Sequence, residues 1–281
     1  TARRQIVCGT IVTFSAILPA GGYAGWAFLK RTQTAQMAVL ANTSDYKNDE
    51  AYVRANIVKI NTAEELVVDP RLLRVALTAF GLEGDIKNKY FIKTILEDGS
   101  LKVDALANRL ANKQYLDLAK TFGFGDFKTP RNKISDFPDK LLGLYKEMKF
   151  ESAVGDQSTE VRLALNLERE LPIIAGRNTS TEVQWLTVMG NKPLRKAMEV
   201  TLGLPASLGA LDIDRQLKVF KDRARSQFGS DSLGQFTDPT KLKSIVDRYL
   251  LRAEAAGSQF GASSNPSLVL MQQVVARSRY G

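Results

Sequence analysis

Two pairs of carboxylates come closest to chemistry in this sequence: Glu64 with Glu65, and Glu168 with Glu170. Two acids suffice in principle for glycoside hydrolysis, one protonating the leaving oxygen while the other activates water or attacks the sugar. Glu64 and Glu65, however, directly follow Asn61-Thr62, and acidic side chains in the first turn of a helix favour its dipole. A structural role is therefore expected for them. Asp98-Gly99-Ser100 lacks the remaining ligands of a calcium loop and reads as a helix-ending turn. No histidine occurs in 281 residues, which removes the commonest general base near neutral pH and the commonest transition-metal ligand. Cys8 is the single cysteine, so no disulfide can form within the chain. A Gly-x-Ser-x-Gly elbow, a Walker-type loop and a metal-spaced Cys and His cluster are all absent from the sequence. The expectation is a non-enzymatic protein with no catalytic residues, no cofactor and no metal, working by contact with other proteins.

The candidate contacts are apolar and lie at the two ends: Tyr23, Trp26 and Phe28 in one group, Leu268, Met271 and Val275 in the other. Both groups are also consistent with core packing. The first lies within an uncharged stretch, Ile6 to Leu29, bracketed by Arg3-Arg4 and Lys30-Arg31. By length it could just cross a bilayer, but Pro19, Gly21, Gly22 and Gly25 interrupt it and hydroxyl residues dilute it. Membrane contact through residues 6–29 stays open, as does a secretory signal. A phosphate-binding turn at Gly21-Gly22-Tyr23-Ala24-Gly25 has the wrong glycine spacing for a dinucleotide site. The preferred reading is that residues 1–11 are a gene-model extension, with the chain starting at Val12.

Almost every later segment has helical periodicity, and the expected fold class is all-α, a multi-helix bundle. Asp69-Pro70 reads as an N-cap followed by proline in the first turn. Leu72, Val75, Ala76, Ala79 and Phe80 then share one face, and Gly81 ends the helix. Gly123 to Pro138, with Gly125 and Pro130 among polar residues, reads as a loop or domain connection. The expected organisation is an N-terminal segment 1–29, a first helical half 30–125, a second half 126–256, and a flexible tail 257–281 with a short helix after Asn265-Pro266. The halves echo one another. Pro70 to Leu82 reads PRLLRVALTAFGL and Lys192 to Leu204 reads KPLRKAMEVTLGL. Ile92 to Ile95 similarly corresponds to Leu217 to Phe220, and Leu106 to Arg109 to Ile245 to Arg248. Two related helical halves would explain this pseudo-repeat; chance similarity of amphipathic helices is the competing explanation.

The formal charge is +9, from 39 Lys and Arg against 30 Asp and Glu. Part of the excess is terminal, and the interior helices mix both signs, as solvated faces do. Without a basic stripe carrying interleaved aromatics, nucleic-acid binding is the weaker alternative, as a helical regulator.

Ile60 to Phe127, INTAEELVVDPRLLRVALTAFGLEGDIKNKYFIKTILEDGSLKVDALANRLANKQYLDLAKTFGFGDF, resembles a family found in alphaproteobacterial flagellar gene clusters and known as domain of unknown function 1217. Phe14 to Thr32 resembles that family's opening, and the stretch from Arg162 to Phe220 its later section. The resemblance implies an all-α fold and association with flagellum assembly or function, with another flagellar protein as partner. It implies a cytoplasmic or flagellum-associated location and supplies no catalytic residue.

Overall fold

Asp69 is where the chain turns between two core helices, and its side chain explains how. The carboxylate accepts hydrogen bonds from the backbone N–H groups of Arg71 and Leu72, both at 2.9 Å, satisfying amides that have no partner inside the helix. Pro70 follows in the first turn, where no N–H is needed. The computed structural model describes residues 14–261, and all regular structure among them is helical. The expected all-α bundle is what forms.

The described residues fall into two units, one of residues 14–17 with 29–157 and one of residues 18–28 with 158–261. Helix α1 (Gly22–Asn42) contributes to both. The first unit continues with α2 (Ser44–Asn56), α3 (Ala63–Val68), α4 (Pro70–Ala79), α5 (Lys89–Asp98), α6 (Leu106–Arg109), α7 (Gln114–Phe122) and α8 (Phe137–Gly155). Its core surrounds α4, where Leu72, Leu73, Val75, Ala76 and Leu77 are all buried. Each of the larger side chains contributes about 2 kcal/mol by leaving water. Helix α8 packs along α4 and adds Leu141, Leu142 and Tyr145 to the same cluster.

That packing moves the expected division. Residues 126–157 belong to the first unit, and the chain divides at Gln157/Ser158 rather than at 125/126. The apolar face of α8 is spent against α4, so the loop between α7 and α8 joins two elements of one core. Pro138, expected in that loop, lies in the first turn of α8, a position proline tolerates.

The second unit holds α9 (Thr159–Ala175), α10 (Thr181–Gly190), α11 (Lys192–Leu202), α12 (Ile213–Phe228) and α13 (Pro239–Gly261). Its junctions repeat those of the first. Asp69 ends α3 and caps α4; Asn191 ends α10 and caps α11, accepting from the Leu194 N–H at 3.1 Å. Both central helices then stop in the same way. Gly81 (φ +68°) and Gly203 (φ +65°) are left-handed, while the Leu82 and Leu204 N–H groups reach back to the Leu77 and Glu199 carbonyls at 2.8 and 2.9 Å. These are matching Schellman stops. Packing matches too: α3 lies on α4 and α5 as α10 lies on α11 and α12, and α8 lies on α4 as α13 lies on α11. In this alignment α13 corresponds to α8, so the sequence match between Leu106–Arg109 in α6 and Ile245–Arg248 in α13 joins elements with different places in their units.

Trp185 and Trp26 are the protein's two tryptophans, both buried and both in the second unit. Replacing Gly203 by Ala forces a Cβ into the left-handed region and towards Arg252 Nη1 at 2.7 Å. The substitution should destabilise the protein by about 1 kcal/mol. Urea unfolding followed by tryptophan fluorescence should show the midpoint falling, and an unchanged midpoint would contradict this reading of the helix stop.

Candidate functional site

Three helix faces converge on Asp49, each built from residues three or four apart, the spacing that places side chains together on one side of a helix. Asp45, Asn48 and Asp49 come from α2, Arg71 and Arg74 from α4, Tyr145 and Lys149 from α8. The Asp49 side chain is 3% exposed. Its Oδ1 accepts from Arg71 Nε at 2.9 Å and from Arg74 Nη2 at 2.8 Å, while Oδ2 accepts from the Tyr145 hydroxyl at 2.5 Å. Lys149 Nζ lies 4.0 Å from Oδ2, beyond hydrogen-bond reach, and 5.3 Å from the centre of the Tyr145 ring.

Aromatic residues hold this arrangement from beneath. The Tyr46 and Tyr145 rings stack at 5.8 Å, and the Tyr46 hydroxyl donates to the Leu142 carbonyl at 3.2 Å, fastening α2 to α8. The Arg71 guanidinium lies over the Tyr52 ring at 4.8 Å, and the Tyr52 hydroxyl donates to Asp69 Oδ2 at 2.8 Å. The residue that starts α4 and one of the two arginines that meet Asp49 are thereby positioned by one tyrosine.

The electrostatics follow from burial and count. Burial alone would raise the Asp49 carboxyl, but hydrogen bonds from Tyr145, Arg74 and Arg71 outweigh it and hold the group below its ordinary pKa. Burial pushes the Lys149 ammonium below the usual lysine value; Arg74 adds to that effect, and Asp49 and Asp45 oppose it. Burial and the Asp49 hydrogen bond raise the Tyr145 phenol, which stays protonated and donating. Asp45, Asn48, Asp49, Arg71, Arg74 and Lys149 line a pocket of 280 Å³. Drug-sized ligands and cofactors occupy about 300–1,000 Å³, so this space suits a small polar group.

A larger depression of 690 Å³ along α13 is lined by residues including Lys243, Asp247 and Arg248. There Lys243 is bonded to Asp247 at 2.5 Å and Arg248 to Gln227 at 3.0 Å. Two of its cations, Lys243 and Arg248, already have partners, and among the described residues one helix supplies the lining.

The expected contact residues have different fates. Tyr23 is 39% exposed, Trp26 is buried in the fold and Phe28 is half-buried. Leu268, Met271 and Val275, with the expected short helix, lie outside the described residues. Glu65 closes the start of α3, its own N–H donating to the Thr62 hydroxyl and its carboxylate accepting from the Asn61 N–H at 2.7 Å. Glu64 is ion-paired with Lys93, and Glu170 with Arg169 at 2.9 Å. Sequence reasoning missed the Asp49 cluster. Its only trace was the pair of arginines three apart at the start of α4, on a helix otherwise read for its apolar face.

Asp49→Asn should cost about 2 kcal/mol at pH 7, a figure reduced because both arginines are partly exposed. A lowered carboxyl pKa means the stabilisation is complete above the unfolded-state value, about 3.9, and is lost as pH falls through the folded one. Urea unfolding followed by circular dichroism should therefore show the gap between wild type and variant narrowing below about pH 4. A gap that stays constant with pH would contradict the charge of Asp49 as the source.

The chain's fold is shared with the crystal structure of a structural-genomics protein from Agrobacterium tumefaciens, at 24% identity and a TM-score of 0.70, covering 85% of this chain and 98% of that one. No curated protein matches the sequence. Residues 79–242 match a family described as protein of unknown function (DUF1217). That match takes in more than half of the chain and parts of both units, and the protein belongs to this family.

Proposed function

We propose that the protein is a non-enzymatic, flagellum-associated structural or assembly protein that acts by contact with another flagellar component, in the cytoplasm or at the flagellum. The resemblance of Ile60 to Phe127 to a family of flagellar gene clusters supports the setting. A rigid apolar projection in the first unit carries the contact part of the reading.

Between α5 and α6 the backbone is fixed by side chains on both flanks. The Ser100 and Leu101 N–H groups donate to Asp126 Oδ1 at 2.7 and 3.0 Å, and the Ser100 hydroxyl to Oδ2 at 2.6 Å. Asn108 Nδ2 donates to the Ser100 and Lys102 carbonyls at 2.9 and 2.6 Å, and Asp98 accepts from the Leu106 N–H. On this held loop Leu101 is 68% and Val103 is 93% exposed. Single exposed apolar residues are ordinary on proteins. Two on one pre-organised loop form a contact surface whose ordering cost has already been met within the fold.

Purification of the tagged protein from its native host under mild conditions should bring down a flagellar component. Leu101→Asp with Val103→Asp should reduce that recovery at least tenfold without changing the helical circular-dichroism signal. If gene deletion left flagella, motility and secretion of flagellar parts unchanged, the flagellar role would fall. Recovery with nucleic acid, through affinity that drops steeply with salt, would favour a nucleic-acid-binding regulator instead.

A further inference from the structure

We propose that the Asp49 pocket is a recognition site for a single carboxylate group, received by Arg71, Arg74 and Lys149. The pocket brings together three cations and two carboxylates, Asp45 and Asp49. One positive charge is therefore left over at neutral pH. Asp49 is committed: both its oxygens accept hydrogen bonds from groups fixed on other helices. The cations are not used up. Arg71, which lines the pocket, meets Asp49 through Nε alone, so its terminal N–H groups are not committed to that carboxylate, and Lys149 stands off at 4.0 Å.

Arginine N–H groups form a planar fork that matches the two oxygens of a carboxylate. The guanidinium of Arg71 is held against the Tyr52 ring and Arg74 against Asp49, so little rotamer freedom remains to be lost on binding. Asp49 thus acts as a fixed strut that aims two arginines, and the entering group supplies the negative charge the cluster lacks. Asp45 opposes a second negative charge, which favours a monoanionic carboxylate over a phosphoryl dianion. Asn48 at the rim offers an amide that can donate to the same group.

The test is a titration of the full-length protein followed by NMR of the Arg71 and Arg74 Nε–H signals and the Lys149 side chain. Sodium acetate, a blocked glutamyl tripeptide and inorganic phosphate are the probes, with sodium chloride at matched ionic strength as control. Acetate and the peptide should give saturable shifts, and a tighter peptide identifies a protein-borne carboxylate rather than a free acid. Lys149→Gln should weaken acetate binding at least tenfold, while Asp45→Asn, which removes an opposing charge, should tighten it several-fold. Shifts that rise linearly and equal those with chloride would overturn the proposal, as would saturation by phosphate but not acetate, or binding indifferent to both substitutions. The pocket's chemistry and the flagellar role are separable, since this titration uses purified protein and the other rests on a phenotype.

Discussion

Removing the Asp49 carboxylate from water costs several kcal/mol unless hydrogen bonds and opposite charge replace the lost hydration. In this fold the replacement comes from α4 and α8, through Arg71, Arg74 and Tyr145. Hydrophobic burial along α4 supplies most of the attraction in the first unit, but it is nearly indifferent to small rotations of one helix against another. Directional bonds to the buried Asp49 carboxylate are not. They fix which faces of α2, α4 and α8 meet, and the stacked Tyr46 and Tyr145 rings lock the same registration.

Both units use a common way of placing their central helix. A single polar residue finishes one helix and caps the next, and a left-handed glycine with a returning leucine amide stops it. The second unit departs from the first in the chemistry around that helix. Arg195 of α11 is bonded to Glu199 of its own helix at 2.8 Å and to the Gln216 amide of α12 at 2.6 Å. The buried polar residue of α9 is the neutral amide Asn166. The polar chemistry beside the central helix is thus an open charged cluster in the first unit and, at Arg195, a set of internal bonds in the second.

What the sequence revealed was local. Asp69-Pro70 and Gly81 bracket α4 because capping, proline placement and left-handed backbone are decided within a few residues. The boundary expected at residue 125 failed because Gly125, Pro130 and Pro138 signal only that a helix is interrupted. Whether α8 returns to the same core depends on Leu141 and Tyr145 meeting α4, some 70 residues earlier. Asp49 was hidden for the same reason. Within the polar run Ser44–Asn56 it looks like one more solvated acid, and only the arrival of Tyr145, 96 residues away, gives it a buried partner. Trp26, a candidate contact because it lies in an apolar segment near one end of the sequence, is interior, the core packing that remained open for it.

Three cations gather around the committed Asp49 carboxylate, and with Asp45 counted one positive charge is left unanswered. The Lys149 ammonium sits in this balance: burial, the largest effect, and Arg74 depress it, while Asp49 and Asp45 raise it. Its titration, followed by NMR of the lysine side-chain carbons in the unliganded protein, should give a midpoint below the ordinary lysine value of about 10.4. A midpoint at or above that value would mean Lys149 is already neutralised by its neighbours, and that the pocket has no charge to offer.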